Sequence, residues 1–323
     1  MFELELVSKW KLLPFRVDVG HSLKKMHRVT VSQLVNKTMN LEIYVVDHCN
    51  LNCRGCNRFS SISEKKEYDF DTLIKDLSYI RDLKVKVDHF TLTGGEPLLH
   101  TKLTEITQFI IDNFPETTQV VIHTNGKKFL KMPQKFYDCI IKYRNRVQIM
   151  YTNYPVIDYK PIHEFCEKNN IWLTNLCNVD NVYRPDIWGL VKDEFVMEPF
   201  KKESNGVSKA RKFFELCMCL SPVLKNSKIY RCARVSNIHI VEKKFDVKFD
   251  IKDDDVLDLY KITNINDYLK FIQKPSSFCD YCYNVPYRKI PYEVNHIVKA
   301  DFLYDKEYED NTKEMHIDYL KKD

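Results

Sequence analysis

Short apolar runs alternate with segments of helical periodicity from residue 41 to about residue 190 of this 323-residue chain. Such alternation is typical of a parallel sheet with helices on its outer face. In sheets of this kind the ligands lie at the carboxyl ends of the strands, so the loops after the first three strands are the expected functional region. Strands are predicted at 41–47, 87–93, 119–124, 147–152 and 171–174, and helices at 69–83, 103–114, 136–143 and 162–167.

The cysteine content narrows the class of protein. Eleven cysteines, an odd number, argue against a secreted disulfide scaffold in a chain of this length. Charges interrupt every apolar stretch at the start of the sequence, so neither a signal peptide nor a membrane span is expected. We expect a cytoplasmic protein without a membrane partner, whose clustered cysteines serve metal binding or catalysis. The formal net charge of +5 forms no basic stripe, so nucleic acid is not expected as a partner.

Three of the cysteines stand in the loop directly after the first predicted strand. Cys49, Cys53 and Cys56 have the spacing C-x3-C-x2-C. Three thiolates at this spacing can hold three corners of a four-iron cluster and leave the fourth iron open to a small molecule. A zinc site is the alternative, but zinc normally takes four ligands, and His48 would have to supply the fourth. The ligand count favours iron and sulfur.

Two consecutive glycines, Gly94 and Gly95, end the second predicted strand. Glycines at a strand end allow a ligand to approach the backbone closely. Taken alone, they favour an ordinary turn between a strand and a helix. Their position one strand–helix unit after the cysteine loop makes the combination far more specific than either part.

The two motifs together resemble the radical S-adenosylmethionine (radical SAM) enzyme superfamily, with its C-x3-C-x2-C and GGEP motifs. The matching residues are Cys49, Cys53, Cys56, Gly94, Gly95, Glu96 and Pro97. The resemblance implies a partial (β/α)6 barrel, a [4Fe-4S] cluster on the three cysteines, and SAM bound to the open iron. It also implies that the GGEP segment meets the methionine amino group and that Thr124 and Asn125 contact SAM. Many members carry an aromatic residue where this chain has Gly55, and Phe59 is the alternative for packing there.

A second group of cysteines lies in the C-terminal half. Cys217 and Cys232 fit C-x9-S-x4-C around Ser227, and Cys279 and Cys282 supply a C-x2-C pair. This set resembles the family's twitch module, a shorter relative of the SPASM module, in which a glycine stands at the position of Ser227. The resemblance implies an auxiliary [4Fe-4S] cluster on these four thiolates.

Two points about the second site remain open on the residues alone. A structural zinc suits four sulfurs as well as a cluster does. Cys219 also competes with Cys217 as the first ligand. The predicted organisation is an N-terminal extension at 1–40, a radical SAM core at 41–200, a small cysteine-rich auxiliary module at 201–290 and a charged tail at 291–323.

The resemblance also implies the reaction. SAM would be cleaved reductively to methionine and a 5′-deoxyadenosyl radical, which abstracts hydrogen from a substrate carbon. Our leading prediction is a two-electron dehydrogenation of a small sugar-like or aminocyclitol-like molecule, with an electron donor such as flavodoxin or ferredoxin. The alternatives are a peptide-modifying maturase and, in another class, a non-enzymatic binding protein that carries zinc or a cluster. No catalytic base is assigned, because several Asp, Tyr, Lys and Arg residues qualify equally.

Overall fold

A computed structural model describes residues 33–175, 190–191, 194–197, 200, 214, 221–282 and 288–303. Several predicted features lie outside these ranges. They are most of the N-terminal extension, the end of the charged tail from residue 304, Cys217 and Cys219.

The first half of the described chain alternates strands and helices as the periodicity predicts, and each element lies within a residue or two of its predicted position. The first helix begins where the Asp69 carboxylate accepts a hydrogen bond from the Thr72 amide at 2.8 Å, which is a typical N-cap. The elements are β1 (Leu41–Val46), α1 (Phe70–Asp82), β2 (His89–Gly94), α2 (Leu103–Asn113), β3 (Gln119–Thr124), α3 (Gln134–Lys142), β4 (Val147–Tyr151), α4 (Lys160–Lys168) and β5 (Trp172–Asn175).

The elements in the second half of the described chain include strands that are mostly shorter than those of the first half. They are β6 (Leu190–Val191), β7 (Glu194–Met197), β8 (Val223–Lys225), β9 (Lys228–Tyr230), α5 (Ala233–Phe245), β10 (Val256–Asp258), α6 (Ile265–Ile272) and β11 (Arg288–Pro291). Strand β7 pairs antiparallel with both β6 and β11, so these three strands form a small separate sheet.

The main sheet has the order β10-β9-β8-β1-β2-β3-β4-β5. Strands β1 to β5 are parallel, which confirms the predicted α/β class, and β8 adds a further parallel strand beside β1. Parts of the predicted core and of the predicted auxiliary module therefore share one sheet, while the division into four segments itself stays a prediction. Because parallel strands end at one edge, the loops after β1, β2 and β3 lie next to each other.

The two faces of this sheet differ in polarity. Residues paired in register point to the same face, and alternate residues point to the other. One register row is apolar and fully or almost fully buried in the core that includes residues of the flanking helices; it consists of Ile43, Leu92, Ile122 and Ile149. The adjacent row, on the opposite face, is largely polar and consists of Glu42, Thr91, Val121 and Gln148.

A buried ion pair ties β8 to the end of β1. The Lys225 ammonium lies 2.8 Å from an oxygen of Asp47, and it also donates to the side-chain oxygen of Asn237 on α5. The Tyr68 hydroxyl donates to the same carboxylate at 3.0 Å. Burial lowers the pKa of Lys225, and the charge of Asp47 opposes that shift. The pair connects the strand that leads into the cysteine loop with the helix that follows Cys232.

We expect Lys225→Met to lower the free energy of unfolding by about 3–5 kcal/mol, because it leaves the Asp47 carboxylate buried without its cation. Urea denaturation measures this loss. The control is Lys102→Met, since Lys102 forms an exposed pair with Glu105 at 3.6 Å and such pairs contribute about 0–1 kcal/mol. A loss no larger than that of the control would contradict the role assigned to the buried pair.

A second apolar cluster lies beside the main core and joins distant parts of the chain. It contains Phe59, Phe200, Phe278, Cys282 and Phe302 together with apolar residues of α5. The rings of Phe59 and Phe200 are 5.7 Å apart and meet edge to face. Phe59 is therefore a core residue of this cluster, which corrects the expectation that it packs in place of the aromatic residue missing at Gly55.

None of the helices in the described ranges is long and apolar enough to cross a membrane.

Candidate functional site

The cysteine loop turns sharply directly after β1. Asn52 and Gly55 have φ angles of 51° and 59°, and these left-handed positions fold the loop back on itself. Cys53 is buried, whereas Cys49 and Cys56 are partly exposed. Burial, with the neighbouring Cys56 thiol contributing, raises the pKa of both Cys49 and Cys53 to about 12. These thiols therefore stay protonated at neutral pH until a metal centre takes them as thiolates.

The donor set fits a cluster better than a single ion. In the part of the chain that the structure describes, no three His, Cys, Asp or Glu side chains converge so as to share one metal ion. In a cluster each thiolate binds its own iron, so the three sulfurs need not converge. The Nδ1 atom of His48 lies 3.3 Å from the carbonyl oxygen of Lys66, a contact that orients the imidazole ring.

The glycine pair lets β2 approach the start of the cysteine loop. A Cβ atom on Gly94 would lie 2.2 Å from the carbonyl oxygen of Val46, and one on Gly95 would lie 2.1 Å from that of His48. The Gly95 amide donates to Val46 O at 2.9 Å, and the Glu96 amide donates to His48 O at 3.0 Å. The close approach that the sequence predicts is thus an approach to the backbone of the loop, and these two amides serve to hold that loop.

Glu96 connects the ends of β2 and β3. Its fully buried carboxylate accepts hydrogen bonds from the Thr124 hydroxyl at 2.6 Å and from the Asn125 amide at 2.7 Å. It also accepts one from the Leu98 amide at 3.0 Å, in the short turn that begins at Pro97. Burial raises the pKa of Glu96 to about 7, and these hydrogen bonds oppose the shift.

Asn125 completes the connection to the cysteines. Its side-chain amide donates to the Cys49 sulfur at 3.4 Å and to the Asn50 side-chain oxygen at 2.8 Å. The structure therefore brings the cysteine loop, the GGEP segment and the Thr124–Asn125 pair into one hydrogen-bonded unit. The assignment of each residue to a cluster or to SAM remains a proposal.

We expect Glu96→Gln to cost about 1–3 kcal/mol of stability, because the new amide nitrogen would face a backbone donor such as the Asn125 amide. Chemical denaturation measures the loss. Glu67→Gln is the matched control: the Glu67 carboxylate also accepts two hydrogen bonds, both from exposed Thr101, and its replacement should change stability by less than about 0.5 kcal/mol. Equal stabilities of the two variants would refute the connecting role of Glu96.

A C-terminal segment clamps the cysteine loop, and sequence reasoning missed it. Cys53 forms an isolated antiparallel bridge with Val294. The buried Arg54 guanidinium binds Asp301 at 2.7 Å and Glu293 at 2.9 Å. The sequence shows only that an arginine stands between Cys53 and Cys56, and it does not indicate partners 239 and 247 positions away.

Two tyrosines flank the thiols. The Tyr292 hydroxyl lies 3.6 Å from the Cys53 sulfur, within hydrogen-bonding distance. Burial and the three neighbouring cysteines Cys53, Cys56 and Cys49 raise the pKa of Tyr154 well above its ordinary value. The rings of Tyr154 and Tyr292 are 5.8 Å apart. The cysteine loop thus has phenol groups beside it although Gly55 replaces the usual aromatic residue.

The face of the sheet that carries Glu42, Thr91, Val121 and Gln148 is called the inner face below, and polar side chains lie on it and beside it. Arg58, two residues after Cys56, binds Glu42 at 2.7 Å, and both side chains keep part of their surface accessible. Burial lowers the pKa of His123 to about 3, so its imidazole is neutral. Gln148 donates to the Thr174 hydroxyl at 2.7 Å. The sequence signal for this face is the alternation of polar and apolar residues along β3 and β4.

The second group of cysteines is described in part. Cys232 immediately precedes α5 and lies against the same apolar cluster that contains Cys282. Cys279 lies in a short 3-10 turn, which ends at Cys282. Arg231 is buried, and although burial lowers its pKa to about 10, the Cys279 and Cys232 thiols favour its charged form. With the first ligand outside the described residues, the four-cysteine site stays a proposal.

Comparison with known proteins gives the class of the main domain. Residues 43–155 match the model of the Radical SAM superfamily. This span contains the cysteine loop, the GGEP segment and strands β2 to β4. These residues form a radical SAM domain, and membership of this superfamily implies a [4Fe-4S] cluster and SAM.

Individual relatives are more distant. A 7-carboxy-7-deazaguanine synthase of Clostridium acetobutylicum is 27% identical over 170 residues, which are 47% of this chain and 75% of that protein. A GTP 3′,8-cyclase of Trichodesmium erythraeum is 32% identical over 111 residues, or 32% of each chain. The chain thus matches about a third of the length of the cyclase.

Two solved structures illustrate the structural likeness. BtrN in complex with AdoMet and 2-DOIA is 16% identical, with a TM-score of 0.42, and the match covers 77% of this chain and 94% of BtrN. Streptococcus suis SuiB is 14% identical, with a TM-score of 0.29, over 57% of this chain and 51% of SuiB.

Proposed function

We propose that this protein is a radical SAM oxidoreductase that binds a [4Fe-4S] cluster through Cys49, Cys53 and Cys56. The observation that carries the proposal is the hydrogen-bonded unit in which the GGEP segment and Asn125 hold the cysteine loop. When bound, the cluster supplies the electron that cleaves SAM to methionine and the hydrogen-abstracting 5′-deoxyadenosyl radical.

In that reaction, the role of the neighbouring residues is to hold the cysteine sulfurs and the loops around them in place. Asn125 donates to the sulfur of Cys49, and Tyr292 donates to the sulfur of Cys53 once that sulfur is a thiolate. Glu96 fixes the backbone of Asn125 and the hydroxyl of Thr124. Gly94, Gly95 and Pro97 keep the end of β2 against the loop, where the methionine part of SAM is expected.

The proposed reaction is the two-electron oxidation of an alcohol in a small sugar-like or aminocyclitol-like molecule. The inner face of the sheet supports this class, since it offers hydroxyl, amide and neutral imidazole groups at Thr91, Gln148 and His123. Such groups exchange hydrogen bonds with a polyhydroxylated molecule. The guanidinium of Arg58 beside this face is paired with the carboxylate of Glu42 at 2.7 Å.

A peptide substrate is the second candidate. The solved structures that this chain resembles include Streptococcus suis SuiB bound to the precursor peptide SuiA. A non-enzymatic zinc or cluster protein is the alternative from another class. It does not explain why the C-x3-C-x2-C and GGEP motifs occur together. The curated relatives act, by their names, on GTP or form 7-carboxy-7-deazaguanine, so a purine-like substrate belongs in the same screen.

The remaining parts of the proposal concern electron transfer. We place an auxiliary [4Fe-4S] cluster on Cys217, Cys232, Cys279 and Cys282, as the acceptor of the second electron. A small electron donor such as flavodoxin or ferredoxin would reduce the first cluster.

The cytoplasm is the proposed location. Nucleic acid is not a proposed partner, so the function requires no strongly basic groove.

A deuterium-transfer screen tests the reaction type. The reconstituted protein is incubated anaerobically with SAM, a reductant and C-deuterated aminocyclitols, sugars, purine nucleotides or peptides. We expect deuterium in 5′-deoxyadenosine and one equivalent of ketone with the aminocyclitol or sugar group. Transfer from peptides or nucleotides alone would contradict the proposed substrate class.

A further inference from the structure

Residues 292–301 form a strap across the cysteine loop, and backbone hydrogen bonds hold it there. The Arg54 amide donates to the Glu293 carbonyl oxygen at 2.8 Å, and the Asn295 amide donates to that of Asn52 at 2.9 Å. The side-chain amide of Asn52 also donates to the side-chain oxygen of Asn295 at 3.0 Å. These bonds flank the isolated antiparallel bridge between the two segments. The strap and the loop therefore pair over three consecutive residues, like a short antiparallel ribbon.

The guanidinium of Arg54 fixes the far end of the strap. Its Nε and Nη2 atoms donate to the two carboxylate oxygens of Asp301 at 2.7 and 3.3 Å, and the Asp301 side chain is fully buried. A two-pronged pair of this kind fixes orientation as well as distance. No thiol takes part in these contacts, so they do not require a bound metal centre.

The strap carries the phenol of Tyr292 to the sulfur of Cys53. The hydroxyl oxygen lies 3.6 Å from the sulfur, within hydrogen-bonding distance. A phenol ionises only near a pH of about 10, whereas a cysteine binds iron as a thiolate, which has no proton to donate. With a cluster bound, Tyr292 is therefore the donor and the Cys53 sulfur the acceptor.

A hydrogen bond at this sulfur acts differently on the two redox states of a cluster. Reduction adds one negative charge, part of which is carried by the sulfur ligands. A donor at one of these sulfurs stabilises the reduced form more than the oxidised form, and such hydrogen bonds help to set cluster potentials. Because the strap already holds the phenol in place, little ordering is required when the cluster binds.

We propose that the strap holds the Tyr292 hydroxyl against the Cys53 thiolate, and that this hydrogen bond raises the reduction potential of the cluster in the cysteine loop. This inference rests on the proposed function, because it requires that cluster. The step it favours is the transfer of one electron from the small electron donor to the oxidised cluster. No covalent bond of the protein forms or breaks in it.

The experiment compares the full-length wild type with Tyr292→Phe and with a protein that carries 3-fluorotyrosine at position 292. Each is reconstituted anaerobically, its iron is counted, and its reduced fraction is followed by electron paramagnetic resonance during a redox titration without SAM. Subtraction of the signal of the Cys49/Cys53/Cys56→Ala variant leaves the signal of the first cluster.

The two replacements should shift the potential in opposite directions. In Tyr292→Phe, which keeps the ring and loses the donor, we expect the ratio of reduced to oxidised cluster at a fixed potential to fall about tenfold, equivalent to about 59 mV for one electron. Fluorination makes the hydroxyl more acidic and thus a stronger donor, so the fluorotyrosine protein should have a potential above that of the wild type.

Tyr143→Phe is the matched control. The Tyr143 hydroxyl accepts a hydrogen bond from the Gln108 side-chain amide of α2 at 3.1 Å. The control thus loses a phenol hydroxyl that bonds to a helix instead of a thiol, and its potential should equal that of the wild type.

Equal potentials for the wild type and Tyr292→Phe, with iron retained, would overturn the inference and leave the proposed function intact. Should Tyr292→Phe lose its iron, the fluorotyrosine protein decides the question, and a potential no higher than that of the wild type would overturn the inference. A wild-type protein that binds no iron would overturn the proposed function itself, and this inference with it.

Discussion

Alanine at Cys49, Cys53 and Cys56 together will lower the iron content of the reconstituted protein from about eight atoms per chain to about four. The triple variant removes all three proposed ligands of the first cluster and leaves the distal cysteines in place. The expected effect is large because all three proposed thiolate ligands are removed at once, and a single imidazole such as that of His48 does not replace them. Iron analysis and the visible absorption spectrum after anaerobic reconstitution measure it.

The matched control replaces cysteines that lie elsewhere. Cys139 and Cys166 are buried in α3 and α4, where they pack in the apolar core. Their double alanine variant should lose some stability but keep all of its iron. Equal iron content in the triple variant and the wild type would contradict the assignment of the cysteine loop.

Gly95→Ala has the second large expected effect. A Cβ atom there would lie 2.1 Å from the His48 carbonyl oxygen and 2.7 Å from that of Asp47, and both are backbone atoms that cannot rotate away. The end of β2 or the cysteine loop must then shift. We expect a loss of about 3 kcal/mol or more in the free energy of unfolding, together with loss of the first cluster. Anaerobic denaturation and iron analysis measure the two effects.

Gly126→Ala separates crowding at the loop from the general cost of replacing a glycine. Gly126 has a φ of 80°, and the atoms nearest to an added Cβ atom would be side-chain atoms of Ile162 and Tyr159, both at 3.1 Å. Its replacement should cost about 1–2 kcal/mol and leave the iron content unchanged. Gly95→Ala would refute the close-approach argument if its stability and iron content matched those of Gly126→Ala.

The part of the fold that local patterns encode could be predicted from the sequence. The β-branched runs of β1 and β3 and the spacing of Leu73, Leu77 and Ile80 in α1 each identify an element without knowledge of its neighbours. The motif cysteines and glycines could also be located, because they follow directly on two such strands. Parallel topology then brings these loops to one edge.

The contacts that complete the site could not be predicted in this way. Strand β8 has only three residues, too few for a periodic signal, and yet it extends the sheet beside β1. The clamp on the cysteine loop depends on Arg54, Glu293 and Asp301, charged residues that also suit a solvated tail. Pairing across such distances is decided by tertiary packing, and a single sequence carries no record of it.

The two proposed cluster regions share a structural framework. The Lys225–Asp47 pair joins the end of β1 to Asn237 of α5, and Phe59 after the cysteine loop packs in the cluster that contains Cys282. A change at one region can therefore alter the other through the backbone. For this reason each stability or iron measurement proposed above is paired with a control variant that changes no proposed cluster ligand.

Anaerobic cleavage of SAM tests the central claim most directly. The reconstituted wild-type protein is incubated with SAM and dithionite, and the products are quantified by mass spectrometry. We predict equal amounts of 5′-deoxyadenosine and methionine from the wild type and neither product from the Cys49/Cys53/Cys56→Ala variant. A folded wild-type protein that binds no iron, or that binds iron and yields no 5′-deoxyadenosine, would contradict the account.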